Sequence, residues 1–343
     1  MCRKCSEKGV TGGCNTWFDL SRIGLVGAGC VRDPEFLASI HVPSTQDILN
    51  QLLYIHENGR LLQWVKNMPG AKFSRVEIGV RQAGADLRHV FIKRPLLPGK
   101  SLLYEACIQQ IVKDSLDRGG FPHGAAAVYD VFTLRDDSIC FSMEIFHDAQ
   151  PLSVVMERVP DAELTPMLLE ILLQLCAMLW HLATDIGMNH RDLKPSNIMV
   201  EVHAPRPRSL LVGTKRIEIM SKYTLSLVDF GFSCIGQSDT QVSDIALGDV
   251  YPKRDPCPKG GRDFFMFLAF LYIDCWRRVG NDFRMYFARW LQDRETHILS
   301  KLEKYGLEFD KWIYFIVGNE DIHHFACDPC TIFNDLLVLT GSQ

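Results

Sequence analysis

Four polar residues in the second half of the chain offer the most readable chemistry. Asp192, Lys194 and Asn197 fall within HRDLKPSNIMV at residues 190–200, and Asp229 lies in VDFG at 228–231. A carboxylate beside a lysine can orient a hydroxyl proton while the cation offsets negative charge on a group in transfer. An amide oxygen and a second carboxylate are hard donors of the kind that hold magnesium. These types suit a reaction that neutralises an anion on one side and positions an oxygen nucleophile on the other, without a covalent protein intermediate. A polar loop satisfied by its own Asp192 and Asn197, or an isolated DFG tripeptide, would use the same letters. The order of the two motifs along the chain favours the chemical reading.

Positioning such groups requires elements on both sides. Ser44 and Asp47 form an N-cap pattern ahead of Ile48, Leu52 and Ile55, which predicts a helix over 45–57. Short strand-like runs follow at 61–65, 75–80 and 89–93, then a helix over 102–116 and two more strand-like runs at 126–134 and 139–146. Thr165 to Ile186 and Asp263 to Arg277 read as apolar helices, so the second half is expected to be mainly helical. His147, Asp148, Gln150 and Pro151 interrupt the pattern and suggest a division near 147–153. No fixed-period repeat is evident.

In combination, HRDLKPSN and VDFG resemble the catalytic loop and magnesium motif of the eukaryotic-like protein kinase family, and Lys194 two residues after Asp192 is similar to its serine/threonine branch. The resemblance implies an α+β, bilobal protein-kinase-like fold with a sheet-rich small lobe and a mainly helical large lobe. It assigns 1–60 to an extension with a bracing helix, 61–146 to the small lobe, 147–338 to the hinge and large lobe, and 339–343 to a tail. Under it Asp192 orients the acceptor hydroxyl, Lys194 compensates phosphate charge, Asn197 and Asp229 hold metal, and Arg191 anchors the loop. VFIK at 90–93 resembles the motif whose lysine contacts ATP phosphates, making Lys93 that residue and Glu105 its ion-pair partner. Phe91 replaces the usual small residue there. PGAKFSRV at 69–76 has the spacing of the phosphate-covering turn but keeps only Phe73 and Val76 of its fixed residues, with Gly70 at a variable position. Met143, Glu144, Phe146 and Met199 would line the adenine pocket, and Asp263 resembles an aspartate that anchors the catalytic loop. ATP with Mg2+, or Mn2+, is the implied cofactor set, and a protein serine or threonine the implied acceptor. Residues 232–262 contain no recognisable APE motif.

Composition sets the bounds. The chain has 343 residues, with 37 Lys plus Arg against 41 Asp plus Glu, a net charge of -4, so no global basic field draws nucleic acid or an anionic membrane. PRPRSLLVGTKRIEIMSKY at 205–223 is locally basic and reads as a docking hairpin for an acidic protein or nucleic acid, or as a solvated face. The longest apolar run, Phe264 to Ile273, is about half of the ~20 residues needed to span a bilayer, and no signal-peptide core precedes it, so an intracellular protein, cytoplasmic or nuclear, without membrane insertion is expected. Twelve dispersed cysteines predict buried, reduced thiols, with structural zinc on the pairs near 2–30 and 327–330 as the competing use. A small-molecule kinase and a catalytically weak kinase-like scaffold or interaction module are the other functions compatible with these motifs.

Overall fold

The computed structural model describes residues 59–67, 74–83, 86–133, 138–235, 260–291 and 327–340. The helix expected over 45–57 lies outside them, as do Gly70 and Phe73. The chain divides into two compact units, one drawn from residues up to Lys113 together with Ala126–His147, the other from Asp114–Ala125 together with Asp148 onward.

The first unit carries a five-stranded antiparallel sheet, β1 (Gly59–Asn67), β2 (Ser74–Ala83), β3 (Asp86–Pro95), β4 (Val128–Thr133) and β5 (Ile139–Met143), in the order β1-β2-β3-β5-β4. Side chains alternate across a strand, and directly paired residues share a face. Val76 faces Lys93 and Ile78 faces Phe91, while on the other side of β3 Phe91 faces Met143 and Lys93 faces Phe141. Register alone therefore puts Val76, Phe91, Lys93 and Met143 on one surface of the sheet. The opposite surface carries Glu77, Arg81, Asp130 and Ser142, all buried. Helix α1 (Leu103–Arg118) begins where Ser101 Oγ accepts the Leu103 N–H at 3.1 Å and ends at Gly119 and Gly120, the latter in the left-handed region.

The second unit is built around α3 (Asp161–Asp185), preceded by the short strand β6 (Ala149–Pro151) and helix α2 (Leu152–Arg158). By length and composition α3 could cross a bilayer, which revises the reading that no run was apolar enough, but 67% of its most apolar window is buried within the protein, as in a core helix. Pro166 lies in the second turn of α3, where its missing N–H removes one intrahelical hydrogen bond. Among the described residues, helices α4 (Arg262–Cys275), α5 (Asn281–Trp290) and α6 (Pro329–Thr340) follow. Phe264, Phe267, Phe283 and Phe287 are fully buried there.

The mainly helical expectation needs one amendment. Residues 198–227 form a long ribbon, β7 (Ile198–Val212) paired with β8 (Lys215–Leu227), with β6 on its other edge over Met199–Glu201. The two-residue turn starts at Gly213, whose φ of 61° is the left-handed value such hairpins favour. Pro205 and Pro207 obscured the strand in the sequence. Among the described residues that stretch of β7 pairs with β8 alone, which leaves an outer edge where a missing N–H breaks no ladder.

Cys107, Cys140, Cys176, Cys275, Cys327 and Cys330 are outside any disulfide, as expected, whereas Cys234 is disulfide-bonded and departs from that pattern. Burial pushes the Cys107 and Cys327 thiols up to about 12, which makes them poor nucleophiles and poor metal ligands at neutral pH. Among the described residues no group of three or more His, Cys, Asp or Glu side chains is placed to hold a metal ion.

Candidate functional site

In the second unit the loop after α3 is pinned by a single carboxylate. Asp263, buried in the first turn of α4, accepts the His190 backbone N–H at 2.7 Å, the Arg191 N–H at 2.9 Å and the Asn189 amide at 3.3 Å. An anion accepting several hydrogen bonds is well placed at a helix N-terminus, where the helix dipole adds to its stabilisation. The other side of the loop pairs with the segment after Asp229: Asn189 and Cys234 exchange backbone hydrogen bonds at 3.0 and 2.9 Å, and the Ser233 hydroxyl donates to the His190 carbonyl at 3.2 Å. The His190 ring lies 3.1 Å from the Val228 carbonyl and packs on Phe230 with centroids 5.2 Å apart. These contacts bring the HRD and DFG motifs together, though they lie some forty residues apart in the chain.

Within this frame Asp192 is held in a defined orientation. Asn197 Nδ2 donates to the Asp192 carbonyl at 2.8 Å and to its Oδ2 at 2.9 Å, while Lys194 Nζ lies 3.0 Å from Oδ1. A short 3₁₀ turn, Pro195–Asn197, sets this spacing, and the Val228 N–H donates to the Asn197 carbonyl at 3.1 Å. Asp229 is exposed and adopts φ 67°, a left-handed conformation that Asp accepts more readily than most residues. Arg191 shares that unusual backbone, with φ 63°, and is fully buried, so it is no solvated surface cation. Two strained positions on either side of one loop pairing are the kind of cost that persists where geometry is tightly specified.

The residues expected to hold a metal carry donor atoms of a type that suits one. Asn197 spends its amide nitrogen on Asp192, leaving Oδ1 without a hydrogen bond among the described residues, and Asp229 presents an exposed carboxylate. Both are hard oxygen donors, suited to magnesium or manganese. Met199 lies on β7 opposite Ser226, half-buried.

The first unit supplies a separate cluster. Lys93 and Glu105 form a buried ion pair between β3 and α1, the pairing that the resemblance implied. Val76, Phe91, Met143, Glu144 and Phe146 are each half-buried. The Met143 sulfur accepts from Gln109 Nε2 at 3.4 Å, and that amide also donates to the Ala126 carbonyl at 2.9 Å. Glu144 turns back within this unit: its backbone N–H donates to the Ala127 carbonyl at 2.9 Å and its Oε2 accepts the Ala127 N–H at 3.2 Å. Gln109 escaped the sequence reading because one glutamine in a buried helix carries no pattern of its own. Gly70 and Phe73, assigned to the phosphate-covering turn, fall outside the described residues.

No family model matches this chain, and no curated protein does. Among solved structures, a crystal structure described as a kinase domain is similar at 16% identity with a TM-score of 0.35, over 53% of this chain and 53% of that one. The chain thus spans about half the length of that kinase domain. The likeness is slight, and the functional reading rests on the chain's own residues.

Proposed function

We propose that this protein is an ATP-dependent kinase that transfers the terminal phosphoryl group to serine or threonine hydroxyls of proteins. The observation that carries this reading is the Asp192 carboxylate, gripped by the Asn197 amide and the Lys194 ammonium inside a loop hydrogen-bonded to the Asp229 segment. Asp192 orients the acceptor hydroxyl and takes up its proton as the oxygen attacks. Lys194 offsets the negative charge that develops on the transferred group. Asn197 and Asp229 are the residues that would hold Mg2+ or Mn2+, which when bound neutralises the phosphate oxygens. Lys93, oriented by Glu105, binds the phosphates, with Val76, Phe91, Met143, Glu144 and Phe146 of the first unit accepting the adenine end. Phe91 brings an aromatic ring where a small residue would leave space, which favours slow turnover.

Purified protein is expected to pass labelled phosphate from ATP to a serine/threonine acceptor panel in a divalent-metal-dependent reaction. Asp192→Ala is expected to reduce the rate by about 10²–10⁴, the usual worth of a positioned acid–base group. Equal labelling by wild type and D192A would overturn the mechanism, and transfer only to metabolites would assign a small-molecule kinase instead. Partner binding with no transfer under any condition would point to the scaffold reading that Phe91 and the glycine-poor turn support.

A further inference from the structure

Two guanidinium groups and an imidazole converge on one hydroxyl of the β7–β8 ribbon, away from the groups discussed above in sequence and role. Arg206 and Arg208 each donate through Nη2 to Thr224 Oγ1 at 2.5 Å, and His203 Nε2 lies 3.0 Å from the same oxygen. His203 Nδ1 is 2.7 Å from the Ala204 carbonyl, so in the neutral ring it carries the proton and Nε2 accepts from the Thr224 hydroxyl. That hydroxyl is then saturated, with one hydrogen bond given and two received, and it is uncharged. Each guanidinium has five N–H donors. The bond to Thr224 is the only side-chain hydrogen bond either one makes among the described residues, and Arg208 Nε is buried with no partner.

Strand geometry produces this grouping. Residues 206 and 208 share a face by the two-residue period, and the irregularity between Val202 and Arg206 turns His203 toward them. Burial, then the neighbouring Arg206 charge, lowers the Arg208 pKa; Glu201 and Glu170 offset part of this. Glu170 is already engaged, accepting from the Ser221 hydroxyl and, at 2.7 Å, from the Lys222 N–H. Like charges thus meet over a neutral acceptor that cannot compensate both.

We infer that Arg206, Arg208 and His203 form a recognition site for a phosphomonoester carried on a serine or threonine of an extended protein segment. A phosphate dianion offers three acceptor oxygens, enough to receive both guanidinium forks and a protonated imidazole in place of the single Thr224 oxygen. Glu201 and Glu218 on the ribbon and Glu170 on α3, with the net charge of -4, disfavour a nucleic-acid polyanion. Ile219, half-buried and paired with Arg208 across the ribbon, gives a flanking residue of a peptide apolar contact that free phosphate would not use. Pro205 and Pro207 lack the N–H groups that an added strand would pair with, so recognition falls to side chains. The site is independent of the phosphoryl-transfer reading, since none of its residues belongs to that machinery.

The test uses the full chain and a degenerate peptide library with a fixed central phosphoserine, compared with the same library carrying serine. Fluorescence anisotropy is expected to give the phosphorylated library an affinity at least about tenfold higher, an advantage lost in R206Q/R208Q with an unchanged thermal midpoint. R206K/R208K, which keeps the charge without the fork, should fall between the two and serves if the glutamine variant misfolds. Inorganic phosphate should compete only weakly. Equal binding of the two libraries, a double variant that binds like wild type, complete competition by equimolar inorganic phosphate, or displacement by an equimolar thymidine oligonucleotide would each overturn the proposal.

Discussion

At the scale of single residues, the catalytic-loop letters were readable because they are short, ordered and chemically specific, and resemblance marked Asp263 as their anchor, yet which donors that carboxylate takes was not readable. Asp263 takes three donors from residues 189–191, seventy positions upstream. Asp263→Ala strands buried backbone N–H groups, each costing about 1–3 kcal/mol when unsatisfied. We expect that variant to lose about 2–4 kcal/mol in denaturant unfolding and to lose phosphoryl transfer with it. A D263A protein with unchanged stability would show that the loop is anchored elsewhere. Arg191 illustrates the limit of sequence: a charged letter gives no hint of a fully buried side chain on a left-handed backbone, because both follow from neighbours distant in the chain.

At the scale of elements, the C-terminal end of α1 is tied to the end of α3 by electrostatics. Asp185 accepts from the Ser115 hydroxyl and from Arg118 Nη2, both at 2.6 Å. Burial works against its charge but is outweighed by these hydrogen bonds and by the Arg118 and His181 charges, so its pKa sits below the ordinary 3.8. A carboxyl with a depressed folded-state value stabilises the fold at pH above 3.8, and that contribution is lost as pH falls through the lower folded value. Carboxyl-detected NMR should place Asp185 below 3.8 in the wild type and higher in R118Q, and D185N should flatten the acid limb of stability in that window. An Asp185 titrating above 3.8 would refute the link. The ends of α1 and α3 were legible to within a few residues from apolar periodicity. The β7–β8 ribbon was read only as a hairpin inside a long connection, because its prolines and charges mask a two-residue alternation that an edge position tolerates.

At the scale of the whole molecule, the chain stabilises its first unit partly through polar groups. Arg81 on β2 donates to Asp130 on β4 at 2.9 Å, and the Ser142 hydroxyl donates to the same carboxylate oxygen at 2.5 Å, although β3 and β5 lie between those strands in the sheet order. The sheet must curl for that bond to form. Truncating one member of a buried ion pair is strongly destabilising, and Asp130→Ala is expected to cost about 3–5 kcal/mol. An R81M/D130L double replacement should recover much of that loss, read as the denaturant midpoint; a double variant no better than D130A would mean that the pair is not the source of the cost. Period-two and helical patterning, the order of elements and the chemical identity of the loop residues were determined by the sequence by itself, since each depends on neighbours a few positions away. Tertiary structure alone decided which other distant groups share a carboxylate: Asp130 with Arg81, Asp185 with Arg118. The convergence of Arg206 and Arg208 on the Thr224 hydroxyl was decided the same way. Those choices depend on closure of long chain segments and on strand register, and no local pattern encodes either one.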